Sequence, residues 1–187
     1  MRPRRHIGLW IQSPSARLAG RQRCRSLKKV MKKDVTPPVV STFLAGKRFI
    51  VAGVSRSGQQ PANAIYKRFR DCGYEVVAVN PTTDTVESGP YYRDVASVPG
   101  QVDGILIAAP PSQGAALVQQ AAERGIRQIW FHRSFGDGSV SADALQACAD
   151  RGIRPIVGGC PLMFCGKVDV FHRCMRWWLG RSGRVPV

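Results

Sequence analysis

The residues best suited to chemistry sit in short loops that follow apolar runs. The first loop is Gly53-Val54-Ser55-Arg56-Ser57-Gly58. Its glycines let backbone approach a ligand closely, and N–H groups ahead of a helix attract a phosphate. Ser55 and Ser57 add hydroxyl donors, and Arg56 adds a charge-assisted one. The loop is not GxGxxG, because Ser55 stands at the second glycine position. It is not a P-loop, because Gly58 is not followed by Lys and Ser or Thr. An ordinary strand-to-helix turn has the same composition, so the loop alone leaves both readings open.

The second loop opens with Asn80-Pro81. A dinucleotide-binding domain usually carries Asp or Glu at this place, to hold the ribose hydroxyls. Asn80 has no charge and would not repel a phosphate on the ribose. Free coenzyme A carries such a phosphate at the 3′ position. This argues against NAD and leaves NADP open; a simple turn is the structural alternative. The third loop, Ala109-Pro110-Pro111-Ser112, is small and stiff, with room for a flat base or a pantetheine arm, and Ser112 is placed to cap a helix. His132 follows a further apolar run, but no recognisable motif pairs it with a Ser or Cys nucleophile, so a packing or loop role is expected.

Other chemistries find little support. The six cysteines form no CxxC pair, and Cys160-x4-Cys165 with His172 is looser than usual zinc spacing. Free thiols in a reducing cytoplasm are expected, with no metal. Of 28 Lys and Arg, eleven fall in residues 1–33, where there is no Asp or Glu; the other 17 face 12 acidic residues. The net charge of +16 therefore resides mainly in that first segment. Three readings fit the segment: a basic arm for nucleic acid or membrane, an organelle presequence, or a stretch outside the working protein, with Met31 as its start. The third is the expectation here, and the composition predicts disorder. No apolar run is long enough to span a bilayer. Neither a nucleic-acid partner nor a membrane partner is expected, and a homo-oligomer is allowed.

The elements that must position the three loops alternate regularly. Apolar strand runs are expected at residues 47–54, 74–79, 102–109, 126–131 and 153–157, with helices over 62–72, from 112 to 124, and over 141–149. Residues 34–46 read as an extended lead-in, 82–100 as an irregular connection with one helical turn near Val95, and Gly136-Asp-Gly138 as a turn. Residues 162–187 read as an amphipathic helix and a basic tail. There Phe171, Cys174, Met175 and Trp178 are expected to pack inward and close the domain or meet a second subunit; a basic aromatic helix of this kind can also lie on a membrane surface. This pattern predicts an α/β, Rossmann-like doubly wound domain over 47–161, with a five-stranded, mostly parallel sheet and a C-terminal closing helix. Such sheets bind ligands beyond the carboxyl ends of their strands, at the switch point, which selects the same three loops.

Taken in order, four segments resemble the small CoA-binding proteins, related in fold to the nucleotide-binding domain of the succinyl-CoA synthetase α subunit. They are Gly53-Val-Ser-Arg-Ser-Gly with Pro61, Tyr74-Glu-Val-Val-Ala-Val-Asn-Pro81, Val102-Asp-Gly-Ile-Leu-Ile-Ala-Ala-Pro-Pro111 and Cys160-Pro-Leu-Met-Phe164. The resemblance spans roughly residues 45–180. It implies a non-catalytic module that binds coenzyme A or an acyl-CoA through its nucleotide. Gly53, Val54, Ser55, Arg56 and Ser57 would then lie along the pyrophosphate. Asn80, Pro81 and Thr82 would border the adenosine, with Ala109 and Pro110 on the other side. Many relatives have Lys where this chain has Thr82, which removes one phosphate contact. The synthetase's phosphorylated histidine lies in a domain absent from this sequence. The alternative is an NADP-dependent or other nucleotide-using enzyme on the same fold.

Overall fold

Apolar β-branched runs too short for helices must find hydrogen-bond partners for both edges of their backbone, and they do so in one sheet. The computed structural model describes residues 36–82, 89–133, 138–183 and 185–186. Six strands lie in the order β3-β2-β1-β4-β5-β6, and every pairing is parallel. They are β1 (Arg48–Ala52), β2 (Glu75–Val79), β3 (Tyr91–Tyr92), β4 (Gly104–Ile107), β5 (Gln128–Phe131) and β6 (Ile156–Val157). The helices are α1 (Pro38–Leu44), α2 (Pro61–Asp71), α3 (Gly114–Glu123), α4 (Ala142–Ala149) and α5 (Val170–Arg181).

The expected α/β doubly wound architecture is present, with one strand more than the five expected. The extra strand is β3, two residues long, inside the stretch read as irregular. Its backbone pairs with Ala78 and Val79, so two tyrosines suffice without any visible apolar run. The connection after it is fixed by Arg124, whose guanidinium donates to the carbonyls of Val95, Ala96, Val98 and Gly100. Near Val95 there is a single hydrogen-bonded turn, from Val98 N–H to the Val95 carbonyl at 3.3 Å, in place of the expected helical turn. The strand expected at 153–157 shortens to β6 because Pro155 has no N–H to give to a ladder.

Side chains alternate across the sheet and fill two cores. One face collects Phe49, Val51, Ala78, Leu106 and Trp130 beneath α1, α2 and α5. The other collects Ile50, Ala52, Val77, Val79, Ile105, Ile107, Ile129 and Phe131 beneath α3 and α4. Burial on both faces is what makes the strands read as continuous apolar runs.

The stretch expected to be an extended lead-in contains α1. Val40 and Phe43 drive it inward, and Phe43 stacks on Phe49 at 4.9 Å and meets Trp130 edge-on at 5.4 Å. Gly104 makes room, since a Cβ there would lie 2.9 Å from the Phe43 ring. Residues beyond 161 do not stand apart either: Leu162, Met163, Cys165, Met175 and Leu179 belong to the same core as β1. Asp169 caps α5 by accepting from the His172 N–H at 2.9 Å.

The helix closes the domain through Met175 and Leu179, but its expected inward face is wrong. Phe171, Cys174 and Trp178 are exposed. Helical spacing alone does not fix the phase, because apolar residues occupy more than half the circumference of this helix. The expectations for residues 1–33 and for Gly136-Asp137 lie outside the described residues.

Candidate ligand site at the carboxyl edge of the sheet

Strand order reverses between β1 and β4: the chain winds outward from β1 to β2 and β3, then returns to β4 beside β1 and winds the other way. Loops leaving the carboxyl ends of these two strands diverge to opposite faces and leave a crevice between them. The loop after β1 is Gly53–Gly58, and the loop after β4 is Ala108–Pro110.

Gly53 is where the two loops touch. Its φ is +100°, and a Cβ there would lie 2.6 Å from the Ala108 carbonyl oxygen and 2.8 Å from the Ala109 nitrogen. Glycine is therefore demanded twice, by conformation and by the neighbouring backbone. Gly53 N–H donates to the Val79 carbonyl at 2.9 Å, tying the loop to β2.

Beyond it, the expected ligand residues divide into two groups. Val54 is fully buried in the core, so only its backbone faces the edge. Ser55 is held by Asn63 of α2: the Ser55 N–H donates to Asn63 Oδ1 at 3.0 Å, Ser55 Oγ donates to the same oxygen at 3.2 Å, and Asn63 Nδ2 donates to the Ser55 carbonyl at 2.7 Å. Ser57 Oγ lies 3.0 Å from Ser55 Oγ. Arg56, Ser57 and Gly58 are exposed. The exposed tip can therefore present a guanidinium and a hydroxyl, while the Ser55 N–H is committed inside the protein.

Asn80 is likewise committed. Only 8% of it is exposed. Its Nδ2 donates to the Val54 carbonyl at 2.8 Å, and its Oδ1 accepts from the Thr82 N–H at 3.0 Å and the Thr82 hydroxyl at 2.8 Å. The Asn80 N–H donates to the Tyr92 carbonyl at 3.1 Å, and Tyr91 Oη donates to the Asn80 carbonyl at 2.8 Å. One residue thus joins the β1 loop and the turn through Pro81 and Thr82 by its side chain, and β3 by its backbone. A carboxylate could not donate to Val54, so the structure supplies its own reason for Asn at this position. Pro81 and Thr82 are exposed beside it.

On the β4 side, Ala109 is buried and Pro110 exposed. A 3-10 turn over Pro111–Gln113 precedes α3, with no side-chain cap at either start. Ser112 lies inside that turn, so the expected capping role is not fulfilled; two prolines bring the chain in at an angle that starts the helix later. Ser141 does cap α4, accepting from the Ala144 N–H at 3.1 Å.

A cleft of about 560 Å³ adjoins Ala108–Pro110. Its walls include Ala64 of α2, Leu162, and Phe171 and Met175 of α5. His132 lies at its floor, and burial alone pulls the imidazole from its ordinary 6.5 down to about 4, so the ring is neutral at pH 7. Sequence reasoning missed both Asn63 and this cleft. Asn63 left a faint trace, a poor helix former in the first turn of a helix. The cleft left none, because α5 forms one wall from the far end of the chain. Among the described residues, no group of three His, Cys, Asp or Glu could hold a metal ion. Cys160 and Cys165 are buried, and His172 lies 2.6 Å from the Asp169 carboxylate.

A doubly wound parallel sheet with a glycine-tight loop after its first strand defines a Rossmann-like class of α/β protein. Within that class, the family described as a CoA binding domain matches residues 47–165, and the chain belongs to it. It is similar to the uncharacterized protein YneT of Bacillus subtilis (strain 168), 24% identical over 114 residues, which cover 61% of this chain and 82% of YneT. A conserved hypothetical protein from Pyrococcus furiosus is 29% identical with a TM-score of 0.54, covering 61% of this chain and 95% of that one. In fold the chain also resembles a dinucleotide-forming acetyl-coenzyme A synthetase from Ca. Korarchaeum cryptofilum, at 20% identity and a TM-score of 0.51, over 62% of this chain and 26% of that one.

Proposed function

We propose that the chain binds coenzyme A or an acyl-CoA by its nucleotide moiety and holds it without transforming it. The observation that carries this reading is the switch point between β1 and β4, where Gly53 packs against the backbone of Ala108 and Ala109 and the same loop goes on to the exposed Arg56–Gly58 tip. The residues present fit the ligand. Arg56 and Ser57 supply a cation and a hydroxyl for the pyrophosphate. Pro81 and Thr82, both exposed, would border the adenosine, beside an uncharged Asn80 that leaves a ribose phosphate unopposed. The apolar-walled cleft beyond Ala109 and Pro110 is of a size for a pantetheine arm.

The non-catalytic part of the reading rests on how the polar side chains are used. Ser55, Asn63 and Asn80 hold backbone. The free thiols suit a reducing cytoplasm.

Thermal unfolding tests the reading. Coenzyme A raises the melting temperature, as ligand linkage requires, with a gain of about 2.7 kcal/mol at a hundred times Kd. NAD at equal concentration leaves it unchanged. Equal shifts with both ligands would show a generic nucleotide site. A different compound released on denaturing the purified protein, identified by mass, would replace the ligand altogether.

A further inference from the structure

Among the described residues six large apolar side chains are exposed, and four of them sit on α5: Val170 (73%), Phe171 (64%), Trp177 (62%) and Trp178 (58%). The exposed Cys174 falls between them. At about 100° per residue, these five positions occupy an arc of roughly 120° on one side of the helix. Met175 and Leu179, on another side, already anchor the helix to the core. The aromatic stripe is therefore not needed to fold the domain, and leaving two indoles in water costs free energy that folding does not recover.

The charge around the stripe has one sign. From Val170 to Val187 the sequence holds four Arg and no Asp or Glu. The Arg181 guanidinium lies 4.3 Å from the centre of the Trp177 ring, and exposed Arg173 adjoins the stripe. The carboxylate just before the helix in sequence, Asp169, is held by the N–H and ring of His172.

We propose that the outer face of α5 docks on an anionic lipid surface, lying along it with Val170, Phe171, Trp177 and Trp178 toward the acyl chains. Indole rings suit the headgroup level, where one side is apolar and the other wet. Arginines at that depth meet lipid phosphates with charge-assisted bonds. The 12-residue helix measures about 18 Å, far short of a bilayer, so it lies flat, as interfacial helices do. No helix among the described residues is long and apolar enough to cross a membrane. A second copy of the chain fits the same face poorly. Two such stripes laid together bring arginines against arginines, with no carboxylate in the stretch to pair them.

Co-sedimentation of the full chain with lipid vesicles tests this. The chain sediments with vesicles of phosphatidylcholine mixed with phosphatidylglycerol and stays in solution with phosphatidylcholine alone. Trp177→Ala with Trp178→Ala weakens partitioning on the order of tenfold or more, while the melting temperature holds because both rings are exposed. Should that double variant lose its unfolding transition, Arg173→Glu reads the same face and also weakens partitioning. Double-variant binding as tight as the parent's would place the contact in residues 1–33 and overturn the proposal. So would a parent that ignores both vesicles, whether it stays monomeric or forms a dimer that the double variant abolishes.

Discussion

At the carboxyl edge of β1 and β2, polar side chains turn inward and hold backbone; on α5, Val170, Trp177 and Trp178 turn outward and take no part in the core. Asn80 looks like a ligand-binding residue in a loop, yet its amide atoms bond Val54 and Thr82, and Asn63 of α2 holds Ser55 in the same way. Phe171 and Trp178 look like core residues on a closing helix, yet Met175 and Leu179 do that work. The contrast follows from what surrounds each region. A loop at a switch point is crossed by three chain segments, and its buried carbonyls need donors close by. The helix α5 has one neighbour layer, so Met175 and Leu179 anchor it while Val170, Trp177 and Trp178 stay outside the core.

The comparison breaks most readily at Gly53. Gly53→Ala should destabilise by roughly 4 kcal/mol in denaturant unfolding, combining a left-handed backbone with a clash against Ala108. A loss under about 1 kcal/mol would mean that the two loops separate easily. Next is Asn80→Ala. It removes three side-chain hydrogen bonds and orphans the Val54 carbonyl, for an expected loss of about 3 kcal/mol. If stability instead holds and only ligand affinity falls, Asn80 is a ligand residue rather than a brace.

His132 gives a smaller, pH-dependent effect at the same edge. Its folded pKa lies below its unfolded one, so the unfolded chain takes up a proton first as pH falls. Stability is fully present above about 6.5 and declines toward about 4, by roughly 2 kcal/mol between pH 6.5 and 5. The His132→Gln variant should lack that slope; an unchanged slope would assign it to other groups. The smallest effect is on the other side of the comparison: Trp178→Ala should change stability by less than about 0.5 kcal/mol, where a buried ring would cost about 3–5 kcal/mol.

How much of this the sequence carried depended on whether the cause was local. Strand runs such as Ile50-Val51-Ala52 and Val76-Val77-Ala78-Val79 were legible because burial on both faces writes itself as unbroken apolar residues. Their alternation with helices sufficed for a doubly wound fold and for the crevice between β1 and β4. Tyr91–Tyr92 escaped because a two-residue edge strand is made by its neighbour's hydrogen bonds and carries no period of its own. At the site, the positions of Gly53, Asn80 and Pro110 followed from topology, but the partners of their atoms did not. That Asn63 reaches back to Ser55, or that α5 walls a cleft against β4, depends on segments brought together only by the fold. The phase of α5 was illegible for a related reason: apolar residues surround much of it, and only the docked core selects which of them go inside.

The most direct test of the central claim is a calorimetric titration of coenzyme A into the parent chain and into Arg56→Ala. Binding by the parent and a loss of about 1.5–3 kcal/mol in the variant, at unchanged melting temperature without ligand, is the predicted result for an exposed guanidinium that meets the pyrophosphate. No heat of binding at millimolar coenzyme A would contradict the function, and full affinity in the variant would contradict the placement of the phosphates at the Gly53–Gly58 loop.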